Sequence, residues 1–134
     1  MITILGAGMG GLTLARILYI NGVACEVLDA DRSATSRHQG GMLDIHDDTG
    51  QAALRLVGLH EQFLQRVLVG GDSFRISDKT GAVRLDTEGD GRRPEIARGA
   101  LRSLRVDSLP KSMIRWNTKV TQVARNDAGF TLTF

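Results

Sequence analysis

The chain has 134 residues, enough for one ordinary domain, and its composition, 42% hydrophobic and 24% charged, is that of a folded globular protein. A net charge of +2 and only 4% aromatic residues, none interleaved with the arginines, argue against a nucleic-acid surface, and no apolar run approaches the ~20 residues a membrane helix needs. The single cysteine, Cys25, excludes a disulfide scaffold within the chain, and with no basic leader ahead of the first apolar run a cytoplasmic location is expected.

The first run, Ile2-Thr3-Ile4-Leu5, is short, apolar and β-branched, the pattern of a buried parallel strand. Gly6-Ala7-Gly8-Met9-Gly10-Gly11 follows and matches G-x-G-x-x-G at Gly6, Gly8 and Gly11. Next comes a helical pattern with Leu12, Ala15, Leu18 and Tyr19 on one face, stopping at Asn21-Gly22. A second strand over Val23–Leu28, with Cys25 as a small core residue, ends at Asp29. Each glycine has a physical task. Gly6 permits the tight turn out of the strand, Gly8 leaves room for a pyrophosphate to approach the backbone, and Gly11 lets the helix pack on the strand. The helix N-terminus offers free N–H groups and partial positive charge to phosphates. A carboxylate at Asp29 accepts from ribose hydroxyls and repels a 2′-phosphate. Strand, glycines, helix, strand and acid in that order read as a dinucleotide-binding unit.

Residues 32–47 are irregular and polar, and within them Gly40-Gly41 implies backbone freedom or close approach to a ligand. Met42–His46 is a short strand candidate. Asp48-Thr49 offers an N-cap for a helix to about Val69, carrying Ala52, Ala53, Leu56, Leu59, Phe63 and Val67; Gly58 makes two shorter helices equally consistent. Residues 73–86 alternate on either side of Lys79-Thr80-Gly81 and predict a hairpin. A loop over 87–94 leads to a helix over 96–109 with Leu101, Leu104 and Leu109 as core candidates, Pro110 lying just past its end. Strand patterns follow at Met113–Trp116, Lys119–Arg125 and Gly129–Phe134. Arg92, Arg93, Arg98, Arg102 and Arg105 read as a solvated face with one or two phosphate partners. His38, His46 and His60 carry no catalytic pattern, and their spacing gives no metal site.

Ile4–Ala15, Val27–Asp31, Gly40–His46, Thr49–Leu54, Pro94–Arg102 and the closing Thr131–Phe134 together resemble the N-terminal part of class A flavin-dependent monooxygenases. That group includes para-hydroxybenzoate hydroxylase, and the nearest likeness is to the tetracycline-inactivating flavin monooxygenases. The glycine motif is widely shared; Gly40-Gly41-x-Leu43-Asp44-x-His46 and Glu95-Ile96-x-Arg98-x-x-Leu101 are more specific. The resemblance implies an α/β, Rossmann-like FAD-binding domain, a βαβ unit in a parallel sheet with antiparallel strands at the C-terminal end, here incomplete. It implies FAD across Gly6, Ala7, Gly8, Met9, Gly10 and Gly11, with Asp29 on the adenosine ribose. Family members often carry Glu at that position, followed by Arg, whereas Asp29 is followed by Ala30. Arg37 falls where the family places an arginine near the flavin, Arg98 opens a cofactor-facing helix, the Val120 backbone edges the adenine, and Asp44 supports the flavin pocket.

The same resemblance implies NAD(P)H as co-substrate and an organic small molecule, aromatic or polyketide-like, as the substrate that receives oxygen from O₂. The hairpin at 73–86 belongs, by this likeness, to the substrate domain. The family's later Asp-Gly and Gly-Asp motifs lie beyond Phe134, so a C-terminal segment or a complementary chain is an expected partner. No residue needs to serve as chemical acid or base. Two other readings stay open: a nucleotide-binding module without catalysis, and an NAD-dependent dehydrogenase, which Asp29 would suit equally well.

Overall fold

A computed structural model describes all residues, Met1–Phe134. The elements are β1 (Ile2–Leu5), α1 (Met9–Ile20), β2 (Cys25–Leu28), β3 (Met42–Asp44), a π-helical turn (Asp47–Gln51) running into α2 (Ala52–Leu56), and α3 (His60–Leu64). They continue with β4 (Phe74–Ser77), β5 (Val83–Thr87), β6 (Glu95–Ala97), α4 (Arg98–Asp107), a 3₁₀ turn (Lys111–Met113), β7 (Ile114–Arg115), β8 (Gln122–Asn126) and β9 (Gly129–Thr133). Two compact units result: Met1–His38 together with Arg102–Phe134, and Gln39–Leu101. The chain is α/β, with a parallel sheet in the first unit and antiparallel pairs in both units.

In the first unit the sheet order is β1-β2-β7, all parallel, with Ile4 opposite Val27 and Val27 opposite Ile114. Parallel strands require a crossover, and α1 supplies it. Its buried residues, Leu12 and Ala15, pack with Ile4, Ala7, Val27, Leu109 and Ile114 into one core, to which Cys25, Val106 and Trp116 add half-buried surface. Tyr19, expected on the same face, is exposed. The stop at Asn21-Gly22 is a complete Schellman closure: the Gly22 N–H donates to the Tyr19 carbonyl and the Val23 N–H to that of Leu18, with Gly22 at φ +69. Val23 thus spends its N–H on the helix, so β2 begins at Cys25 instead of Val23. The β8–β9 hairpin turns at Asp127-Ala128, where the Asn126 side chain accepts the Ala128 N–H.

In the second unit β3 pairs antiparallel with β6, Leu43 opposite Ile96, and β4 pairs with β5. The helical stretch is two short helices, the reading Gly58 left open. Gly58 at φ +71 ends α2 with the same closure, Gly58 and Leu59 donating to the carbonyls of Arg55 and Leu54. The helical path starts at Asp47, ahead of the expected cap at Asp48-Thr49, and ends at Leu64, short of Val69. The turn sets the buried face on Leu54, Val57, Leu59 and Phe63, leaving Leu56 at 67% exposure. Buried Gln51 ties this region together, its Nε2 donating to the carbonyls of Ile45 and Arg92. The helix expected from Ile96 begins instead at Arg98, because Glu95–Ala97 are taken up in the ladder with β3.

Candidate functional site

The glycine loop joins β1 to α1 in the first unit. Gly6 sits at φ +101, a left-handed backbone that only glycine adopts readily, and its N–H donates to the Leu28 carbonyl at 2.8 Å. A Cβ on Gly11 would collide with the Gly6 carbonyl oxygen and lie 3.2 Å from Ile4 Cγ2, so Gly11 is what lets α1 approach β1. By contrast, a Cβ on Gly8 or Gly10 would meet nothing within 4 Å. Gly8 is the N-cap of α1, no side chain caps the helix, and no acidic residue sits in its first turn. The first N–H groups of α1 therefore face open space with the positive end of the helix dipole behind them, an arrangement suited to a bound anion.

Asp29 closes the end of β2 beside this loop. Its carboxylate accepts the Ala7 N–H at one oxygen and the Asp31 N–H, at 2.8 Å, at the other. Its backbone is bonded in both directions, N–H to the Arg115 carbonyl and carbonyl to the Thr118 N–H. Two carboxylate oxygens offer about four acceptor positions, so the two N–H bonds leave capacity for hydroxyl donors. Asp31 binds Arg37 Nε through both oxygens, at 2.8 and 2.9 Å. Val120 is half-buried in the stretch between β7 and β8.

Two arginines expected on a solvated face are instead buried: Arg102 at 3% and Arg105 at 5% exposure. Arg102 donates from Nε to the Ala7 carbonyl at 3.0 Å, from Nη1 to the Ala34 carbonyl at 2.7 Å, and from Nη2 to Asp31 at 3.2 Å. Its guanidinium lies 5.3 Å from the centroid of the Trp116 ring, a cation–π contact. Arg105 places Nη1 3.0 Å from the Met9 sulfur, at the first residue of α1, while its buried Nε has no partner. Burial lowers the Arg105 pKa, yet a guanidinium so far above neutrality stays charged. The Leu101-Leu104-Arg105 spacing (i, i+3, i+4) puts Arg105 on the apolar face of α4, a signal present in the sequence. No spacing marks Arg102.

Asp44 and Arg98 belong to the second unit, at opposite ends of the β3–β6 ladder. Asp44 pairs with Glu95 and borders a cleft of about 360 Å³ with Ser73, Phe74, Thr87 and Arg93. Arg98 opens α4 with an exposed side chain, its N–H donating to the Gly41 carbonyl at 3.1 Å. The glycine loop, Asp29, Arg37 and Val120 are thus held by one unit, and Asp44 and Arg98 by the other.

Residues 1–127 match the family described as FAD binding domain. The monooxygenase asqM of Emericella nidulans is 40% identical over 127 residues, 91% of this chain and 29% of that protein. The chain spans about three-tenths of the length of the curated relatives it matches. Among solved structures, HpxO of Klebsiella pneumoniae complexed with FAD and uric acid superposes with a TM-score of 0.76 at 20% identity, over 98% of this chain and 34% of that one. The tetracycline destructase Tet(51) gives 0.73 at 19%, over 99% and 34%. At such identities the likeness shows the fold.

Proposed function

The chain belongs to the FAD binding domain family, and from that premise we propose that it is the cofactor-holding portion of an NAD(P)H-dependent flavin monooxygenase acting on an aromatic or polyketide-like small molecule. The observation that carries this reading is the uncapped N-terminus of α1, opened by Gly8 and flanked by the Asp29 carboxylate. That donor set fits an FAD pyrophosphate and adenosine ribose: N–H groups for the phosphates, an acid for the hydroxyls, and a position at Gly8 where a side chain would fill the approach.

When bound, FAD supplies the passage of electrons from the nicotinamide donor to O₂ and of one oxygen atom to the substrate. This chain's residues bind and orient. Gly8–Gly11 hold the pyrophosphate through backbone N–H groups, Asp29 holds the ribose, and the Val120 backbone edges the adenine. Arg37, Asp44 and Arg98 serve the flavin end, and the β4–β5 hairpin belongs to the substrate domain. No side chain of this chain acts as acid or base. The substrate class accords with uric acid bound to HpxO and with the tetracycline named for Tet(51).

The test is equilibrium titration of the purified chain with FAD, followed by flavin absorbance and fluorescence, beside Gly8→Val and with NADH as competitor. Saturable binding by the parent and none by a folded Gly8→Val supports the reading. A folded parent that takes no FAD overturns it for this chain. Displacement of FAD by NADH at comparable concentration favours a nicotinamide site.

A further inference from the structure

We propose that Arg102 is a positioning residue for the dinucleotide loop: it holds Ala7 at its carbonyl, on the peptide that leads to Gly8, while Asp29 holds Ala7 at its N–H, on the peptide that comes from Gly6. The proposal rests on the FAD reading for its consequence and on geometry alone for the clamp. Ala7 is fully buried, and both its polar groups are spent on side chains far away in sequence, the N–H on Asp29 and the carbonyl on Arg102 Nε. The N–H belongs to the Gly6–Ala7 peptide and the carbonyl to the Ala7–Gly8 peptide, so the two planes that meet at Ala7 are each held by a side chain, and the second of them sets the direction from which Gly8 launches α1. The Gly8 carbonyl in turn accepts the first helical bond, from Leu12 N–H at 3.0 Å. The N–H groups left over, at the start of α1, are thereby aimed before any ligand arrives. Groups ordered in advance do not spend binding energy on being ordered.

The same guanidinium fixes the other wall of the site. Through Ala34 and Asp31 it holds the loop after β2, and Asp31 passes that constraint to Arg37 through both of its oxygens. The Asn117 N–H closes the loop from the far side, donating to the Asp31 carbonyl at 2.7 Å from a left-handed backbone at φ +54. Three acceptors on two segments need the planar fork of an arginine. A lysine ammonium keeps the charge but reaches them only from one point. Geometry, more than charge, is what Arg102 contributes, since Asp31 already neutralises it.

Two readouts on the full chain test this, using Arg102→Lys and Arg102→Met. In the ligand-free protein, amide hydrogen exchange at Ala7 accelerates in both variants, while that of Ala15 and Val27 in the core keeps the parental rate. In FAD titrations both variants bind about tenfold or more weakly than the parent. A folded Arg102→Lys with parental exchange at Ala7 and parental FAD affinity overturns the clamp. So does exchange that rises evenly across Ala7, Ala15 and Val27, which marks a merely structural loss. If the parent itself takes no FAD, the functional reading falls, and the Ala7 exchange still decides the clamp by itself. If Arg102→Met does not fold, Arg102→Lys carries both arms.

Discussion

The carboxylate of Asp29, at the end of β2, accepts a hydrogen bond from the backbone N–H of Ala7, inside the turn between β1 and α1. The acid that the sequence marks for a ribose is therefore also a structural acceptor. Asp29→Asn separates the two tasks. An amide presents one acceptor oxygen, whereas Asp29 serves two N–H donors, from Ala7 and Asp31, on different oxygens. One buried N–H is left without a partner, which costs about 1–3 kcal/mol. Urea unfolding is expected to show a lower midpoint at unchanged slope. An unaltered midpoint contradicts the double role.

The two glycines at the start of α1 behave oppositely. Gly11→Ala drives a Cβ into the Gly6 carbonyl oxygen, backbone that cannot swing aside, so α1 must retreat from β1 at a cost of about 1–3 kcal/mol or more. Gly10→Ala meets nothing and gains helix propensity, about 0.5–1 kcal/mol in favour of folding. Thermal unfolding should rank Gly10→Ala at or above the parent and Gly11→Ala below it. The reverse order would show that the turn is built differently.

The β1–α1–β2 unit was legible because each of its decisions is local. A left-handed Gly6, a Cβ-less Gly11 and the closure at Asn21-Gly22 are made by residues a few positions apart. Membership of the FAD-binding family was legible from the more specific runs Gly40–His46 and Glu95–Leu101, whose residues stand together in sequence. The short strand β6 was not: three residues ahead of a helix have too few turns to show a period, and only pairing with β3, some fifty residues earlier, makes them extended. Arg102 escaped for a stronger version of that reason, since its partners include a backbone carbonyl 95 residues away, which leaves no pattern in side-chain order.

Leucines 54 and 56 expose how a break shifts a helix face. A single helix through Gly58 puts Leu56 inside, whereas the observed break buries Leu54 to 1% and exposes Leu56 to 67%. Leu54→Ala is expected to cost about 2–5 kcal/mol, and Leu56→Ala to stay within about 0.5 kcal/mol of the parent. Chemical unfolding of the two variants in parallel checks this. A larger loss at Leu56 than at Leu54 would restore the unbroken helix.

Asp78, at the turn of the β4–β5 hairpin, titrates below the usual aspartate range. The Thr80 hydroxyl, 2.6 Å away, is the main cause, followed by the Thr80 backbone N–H at 2.9 Å and then Arg84, whose Nε lies at 2.9 Å. All of them favour the charged carboxylate. A group whose folded pKa is depressed lends its stabilisation above its unfolded pKa and loses it as pH falls through the folded value. The hairpin turn is thus expected to hold through mildly acidic pH and to loosen only once the solution is more acidic than an ordinary aspartate requires. Carboxyl-carbon NMR titration should place Asp78 below the ordinary aspartate value. Thr80→Ala should move it upward more than Arg84→Met does. Because Asp78 lies on an exposed hairpin, the change should stay local to the amides of Thr80 and Ala82 and leave the core signals of Val27 and Leu54 unmoved. A titration of Asp78 at the ordinary value, or an equal response to both substitutions, would contradict the assigned order of causes.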